Sequence, residues 1–146
     1  MGHPFDPRSV ILARHAQHVV LIHFPIALFL VGVLFELISR LRPSRPSPHL
    51  ATAAQLNLTA AAVCIIPAYV TGFLAWQLAL EGQRLKGLLL YHLIASSIST
   101  ALVITAWWLR SRTQLRPIFV LIVELAGALS ISLTAHLGGF LSGVNS

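Results

Sequence analysis

Charge is what this sequence most conspicuously lacks. Only 10% of its 146 residues are Asp, Glu, Lys or Arg, and just four are acidic. A soluble domain carries about 25% charged residues. With 56% hydrophobic residues and a mean hydropathy of +0.81, the chain cannot offer water a polar surface. A water-soluble globule and a disordered tail are therefore excluded. Cys64 is the sole cysteine, so there is no intrachain disulfide framework and no thiolate metal cluster. A phosphate-binding P-loop, a dinucleotide fingerprint, a nucleophile elbow and the zinc-protease HExxH pair are all missing. There is no internal repeat and no low-complexity segment. The net charge of +6 does not indicate nucleic acid, because no basic stretch is interleaved with aromatics in a polar domain.

What is present is a set of long uncharged runs. A bilayer core takes about 20 apolar residues per helix. Four runs meet that length, at 18–39, 51–80, 88–109 and 118–141, and the only charges inside them are Glu36 and Glu124. None alternates with period two, which argues against a β-barrel. The breaks are short and polar. RLRPSRPSP at 40–48 is a stop and a solvated loop, 81–87 is a turn with two glycines, and 110–117 is basic and ends on a proline suited to a first helical turn. Short connections favour antiparallel neighbours. The expected fold is all-α: a four-helix transmembrane bundle, up-down-up-down, over 18–146, preceded by a polar arm at 1–17 with a short interfacial helix from Pro7 to Gln17. The arm lacks the pattern of a cleaved signal peptide, so the first span reads as an uncleaved anchor. The row of small residues Ala61, Cys64, Ala68, Gly72 and Ala75 on the second span favours close helix packing, with room for a flat macrocycle as the alternative. Pro67 is expected to kink that helix.

Basic residues orient the bundle. Arg40, Arg42, Arg45, Arg110, Arg112 and Arg116 fall at one end, and Arg8, Arg14, Arg84 and Lys86 at the other. The positive-inside rule puts the six in the cytoplasm and both termini outside. Trp76, Trp107 and Trp108 near span ends suit the interfacial belts.

The histidines carry the functional signal. His15, His18 and His23 open the first span, His92 lies near the start of the third and His136 near the end of the fourth. In an up-down-up-down bundle these ends share one side, with His23, His92 and His136 roughly 7–12 Å inside the membrane edge. Ionisable groups at that depth are costly and mark function. Imidazole is both a metal ligand and an axial haem ligand, and bundle cores hold cofactors on facing helices. The bland alternative is hydrogen bonding between helices. His18 and His23 are five residues apart, about 140° around the helix, so they cannot both face the axis. His92, Ser96 and Ser99 form a polar stripe, of which Ser96 can reach a bound group and Ser99 reads as packing. Glu36 and Glu124 read as structural, bonded to Asn57, Gln55 or loop arginines, with a proton route as the minor reading.

HVVLIHFPIAL at 18–28, Gly72, KGLLLYH at 86–92 and AHLGG at 135–139 together resemble a bacterial membrane-protein family known as domain of unknown function 2231. The resemblance covers about 15–144. His18, His23, His92 and His136 match its pattern, while Val19 stands where the family often has proline and a usual terminal tyrosine is missing. Links of some members to Rieske-type iron–sulfur domains imply electron transfer at the outer face.

The leading expectation is a membrane b-type cytochrome. One haem b is held by His23 and His92, with His136 as alternative ligand or propionate partner, His18 and Ser96 nearby, and Arg14, Arg84 or Lys86 on the propionates. It would act as an electron carrier with a quinol or a periplasmic redox protein rather than as a stand-alone enzyme. The second expectation is a copper or zinc site of His18, His23, His92 and His136. The third is a structural subunit without cofactor. The partners expected are the lipid bilayer and a homo-oligomer, with no nucleic acid.

Overall fold

The computed structural model describes residues 14–41, 47–79, 84–112 and 117–142. These form four α-helices: α1 (Arg14–Leu41), α2 (Pro48–Ala79), α3 (Gly87–Arg110) and α4 (Pro117–Leu141). Among the described residues there is no strand. All four helices are long and apolar enough to cross a membrane. The shortest has 24 residues, so even it spans roughly 36 Å. The helices begin and end close to the bounds the uncharged runs predict. The main difference is at the first, where helix already starts at Arg14 and runs into the span without a break. The remainder of the expected arm, 1–13, lies outside the described residues.

Local chemistry explains the ends that are described. Ser47 precedes Pro48, and its side-chain Oγ and backbone carbonyl both accept from the Leu50 N–H, at 3.4 and 3.1 Å. Serine at the cap followed by proline satisfies orphan donors and removes one of them. Gly87 opens α3 with φ +56 and nothing within 4 Å of its missing Cβ. A side chain there is penalised by the backbone alone. Pro25 and Pro67 lie inside helices that continue through them. Each lacks an N–H, which leaves the carbonyls of Leu21 and Val63 without their usual helical donor.

The four helices form a ring in which neighbours are antiparallel. α1 and α2 share the most extensive interface and α3 and α4 the next, while α2–α3 and α4–α1 meet over slighter ones. The bundle is thus two helical hairpins, with α1 diagonal to α3. Its middle is a closed apolar layer built on Phe29, Leu58, Val103 and Ile131 with Ala61, Ala62, Ile65 and Ala106. Outward faces remain apolar and exposed, Leu56, Val63 and Leu129 among them, as a lipid-facing surface requires.

Glycines set how closely these helices meet. A Cβ on Gly127 would lie 2.8 Å from Phe29 Cζ, and that ring is fully buried. Overpacking a closed core costs about 1–3 kcal/mol. Gly127→Ala is therefore expected to lower stability by about that much, and Gly127→Ala with Phe29→Leu to recover part of it, measured by unfolding in mixed micelles.

Candidate functional site

One end of the bundle carries His18, His23, His92 and His136, and the other carries Arg40 and Arg110. At the histidine end, a cavity of about 80 Å³ lies between the two hairpins and is lined from all four helices. α1 contributes His18, Ile22, Pro25 and Ile26, and α2 contributes Ile65, Ala68 and Tyr69. α3 adds His92, Ser96, Ser99 and Thr100, and α4 adds Ile131, Thr134, Ala135 and Gly138. The wall is mostly aliphatic, with two imidazoles on diagonal helices.

His18 is oriented by α2. Its Nδ1 lies 3.1 Å from the Ala68 carbonyl, which can only accept, so Nδ1 carries the proton and donates. The lone pair is then on Nε2. Thr71 Oγ1, 3.3 Å from the same nitrogen, itself donates to the carbonyls of Pro67 and Ala68. The ring rests on Gly72, where a Cβ would come within 2.8 Å of His18 Cε1. This accounts for the glycine in the small-residue row of α2. Ala61, Ala68 and Ala75 of that row are buried, and the space at Gly72 is taken by the His18 imidazole. Gly72→Ala is expected to push His18 off the Ala68 carbonyl. In nitrogen-15 spectra of labelled histidine, the His18 ring would then lose its single tautomer.

His92 is placed differently. It touches the backbone of Thr134, yet its Nδ1 is buried without a hydrogen-bond partner among the described residues. A Cβ on Gly138 would lie 3.2 Å from His92 Cε1, so each cavity histidine packs over a glycine of the neighbouring helix. Below His92, Ser99 bonds both Ser130 and Thr134 at 2.8 Å and ties α3 to α4. Ser96 lines the cavity but spends its hydroxyl on the Leu93 carbonyl. Tyr69 reaches Ser97 at 3.0 Å across the slighter α2–α3 interface.

The structure brings together His18, His92 and Ser96, and it separates them from the other expected residues. His23 is exposed and donates from Nδ1 to the Val19 carbonyl one turn back, at 2.6 Å. His136 is exposed and stands edge-on to Phe140 at 5.0 Å. His23, expected to pair with His92, therefore does not line the cavity with it, and His18 does. Of two histidines five residues apart only one can face the axis, and it is His18. A four-histidine centre of His18, His23, His92 and His136 does not form, and among the described residues no group of three or more His, Cys, Asp or Glu is placed to hold a metal ion. Arg84 and Lys86 are exposed ahead of α3. The side chain of Arg14 lies outside the described residues. Reading the residues alone singled out neither Tyr69, Thr71, Thr100 nor Thr134. Thr71 was accessible through its place one residue before Gly72, and Thr134 through its one-turn spacing to Gly138.

At the arginine end, loop-proximal arginines and not amides take the two buried carboxylates. Arg110 meets Glu36 at 2.7 Å and Glu124 at 3.3 Å, and Arg40 also bonds Glu36. Asn57 and Gln55 bond within their own helix. Trp108 lies at this end under the Arg112 guanidinium, 4.8 Å from its ring centre, and Trp76 lies at the other end of the bundle.

Comparison with curated proteins and with solved structures gave no match. The sequence does match a family described as predicted membrane protein (DUF2231) over residues 14–144, a stretch that holds all four helices, the cavity and both glycine-backed histidines. The chain is a multi-pass membrane protein and belongs to that family.

Proposed function

We propose that the cavity binds haem b between His18 and His92, and that the protein carries single electrons within the membrane. The observation that supports this reading is the convergence of two imidazoles from diagonal helices on one aliphatic cavity, with the buried Nδ1 of His92 lacking a hydrogen-bond partner among the described residues. The donor set fits. His18 gives its Nδ1 proton to a carbonyl, as ligating histidines almost always do, which puts the lone pair on Nε2. The aliphatic wall suits a porphyrin face and would limit the access of water to a bound iron.

Size sets a condition. Pockets for drug-sized ligands run to about 300–1,000 Å³, and this cavity has about 80 Å³. Binding therefore requires the hairpins to part along α2–α3 and α4–α1, the slighter interfaces. The Tyr69–Ser97 hydrogen bond is one contact that this opening would strain.

Bound haem iron would supply a one-electron ferric–ferrous couple. The chain's part is to fix two ligands, exclude water and hold the site near one membrane face. By the positive-inside count that face is the periplasmic one of a bacterial inner membrane, with a quinol or a periplasmic redox protein as partner. Arg84 and Lys86 sit at the same end, within reach of propionates once these emerge from the bundle. A reduced-minus-oxidised absorption spectrum of the purified protein tests the proposal. A Soret band with sharp visible bands on reduction supports it, and a colourless protein from haem-replete cells rejects it.

The small cavity favours one alternative, a single copper ion held by the same two imidazoles. One equivalent of copper and no chromophore would select that reading. Four-coordinate zinc is disfavoured, since among the described residues only two imidazoles line the cavity.

A further inference from the structure

The arginine end holds a second buried polar cluster, for which the cavity has no use. Glu36 of α1, Arg110 of α3 and Glu124 of α4 meet there, with Arg40 one turn beyond Glu36. Glu36 is 6% exposed and Glu124 0%. Two guanidiniums and two carboxylates balance in charge but not in contacts. Both arginines lie on Glu36, whereas among the described residues Glu124 has only Arg110, at the longer 3.3 Å and through Oε1. Its Oε2 is buried with no hydrogen-bond partner among the described residues. An ionised carboxylate can only accept, and a buried acceptor without a donor is expensive. The apolar layer around Phe29 lies between this cluster and the cavity, so the unpartnered oxygen is not part of the histidine site.

We propose that Glu124, held by Arg110 beside Glu36 and Arg40, is a proton-exchange site open to the arginine end of the bundle. A proton is the smallest species that converts the stranded oxygen into a neutral carboxyl group. The path is short. The guanidiniums of Arg110 and Arg40 start at the buried carboxylates and their side chains are 13% and 30% exposed, so they connect the cluster to water at that end. In the exchange a hydronium ion loses one O–H bond, Glu124 Oε2 gains one, and water is left. Arg110 remains on Glu36, and the surplus positive charge falls to Arg40, the most exposed member. The charged groups around Glu124 on α1 and α3 are Glu36, Arg40 and Arg110. α2 has no Asp, Glu, Lys or Arg; its Ala51 carbonyl accepts from Arg110 at 3.4 Å, and its His49 is exposed. α4 carries no charged residue besides Glu124. Arg112 is exposed and stacked on Trp108.

This inference holds whatever the cavity binds, and its test does not need a loaded protein. The full chain is reconstituted in phosphatidylcholine vesicles and followed by infrared difference spectroscopy as pH is stepped. With only four acidic residues in the chain, bands can be assigned by substitution. A carboxyl C=O band that grows as pH falls, shifts in D2O, disappears in Glu124→Gln and persists in Glu81→Gln is the expected result. Should Glu124→Gln fail to fold, Glu124→Asp must move the band. No titrating carboxyl band in the folded protein, or one unchanged by substitution at Glu124, overturns the proposal.

Discussion

Alanine at His18 or at His92 is expected to abolish the reduced-minus-oxidised spectrum of the purified protein, whereas alanine at His23 or His136 leaves its bands in place. Only the first pair lines the cavity. The second pair is exposed, with His23 spending its ring N–H on its own helix. The two inner substitutions should differ in one respect. His18 is supported by the Ala68 carbonyl and Thr71, and loss of such outer partners typically weakens metal binding 10–100-fold. Thr71→Val should thus reduce haem retention by about one order of magnitude without removing it, a graded loss that haem titration of the depleted protein measures. His92 has no comparable hydrogen-bond partner on Nδ1 among the described residues, so a ligand bond there would add a partner rather than exchange one. Bands that survive both His18→Ala and His92→Ala would move the site elsewhere.

The largest effect on stability is expected from Arg110→Ala. This side chain alone joins three helices, bonding Glu36 on α1, Glu124 on α4 and the Ala51 carbonyl on α2 from its own position on α3. Among the described residues, its removal leaves Glu124 with no cation in contact and Glu36 with Arg40 only. Removing one partner of a buried ion pair costs about 3–5 kcal/mol, because the remaining charge stays buried. Arg110→Ala should lower stability by about that amount, measured by unfolding in mixed micelles. Adding Glu124→Gln should restore a substantial share, since a neutral amide needs no counter-charge. Arg40→Ala should cost far less, because that guanidinium is partly solvated and Arg110 still holds Glu36. A full-sized loss in the Arg110→Ala Glu124→Gln double variant would show that packing, rather than charge, sets the cost.

The architecture was legible in the sequence for a simple physical reason. In lipid every backbone group must be satisfied within the helix, so an uncharged run of sufficient length is a helix whatever its neighbours. Arg40, Pro48, Gly87 and Pro117 mark ends by chemistry that does not depend on tertiary packing. The candidate site was legible only in part. Depth along an axis follows from counting residues, so the histidine level could be read. Rotation about the axis depends on which face meets the next helix, and α2 and α4 are apolar nearly all round. The 140° between His18 and His23 showed that one of them must turn away but not which. That choice is made by α2, where Gly72 leaves space for a ring and the Ala68 carbonyl accepts its proton. The same holds at the other end. The two carboxylates stood out as buried charges, but their shared partner Arg110 could be chosen only once α3 had been set beside α1 and α4.

Magnetic resonance of the oxidised protein, with histidine ring nitrogens labelled with nitrogen-15, addresses the central claim most directly. The account predicts one low-spin ferric centre coupled to two histidine nitrogens, with one coupling lost in His18→Ala, the other in His92→Ala, and both kept in His23→Ala. A protein with no paramagnetic centre, or one whose couplings persist without His18 and His92, would contradict it.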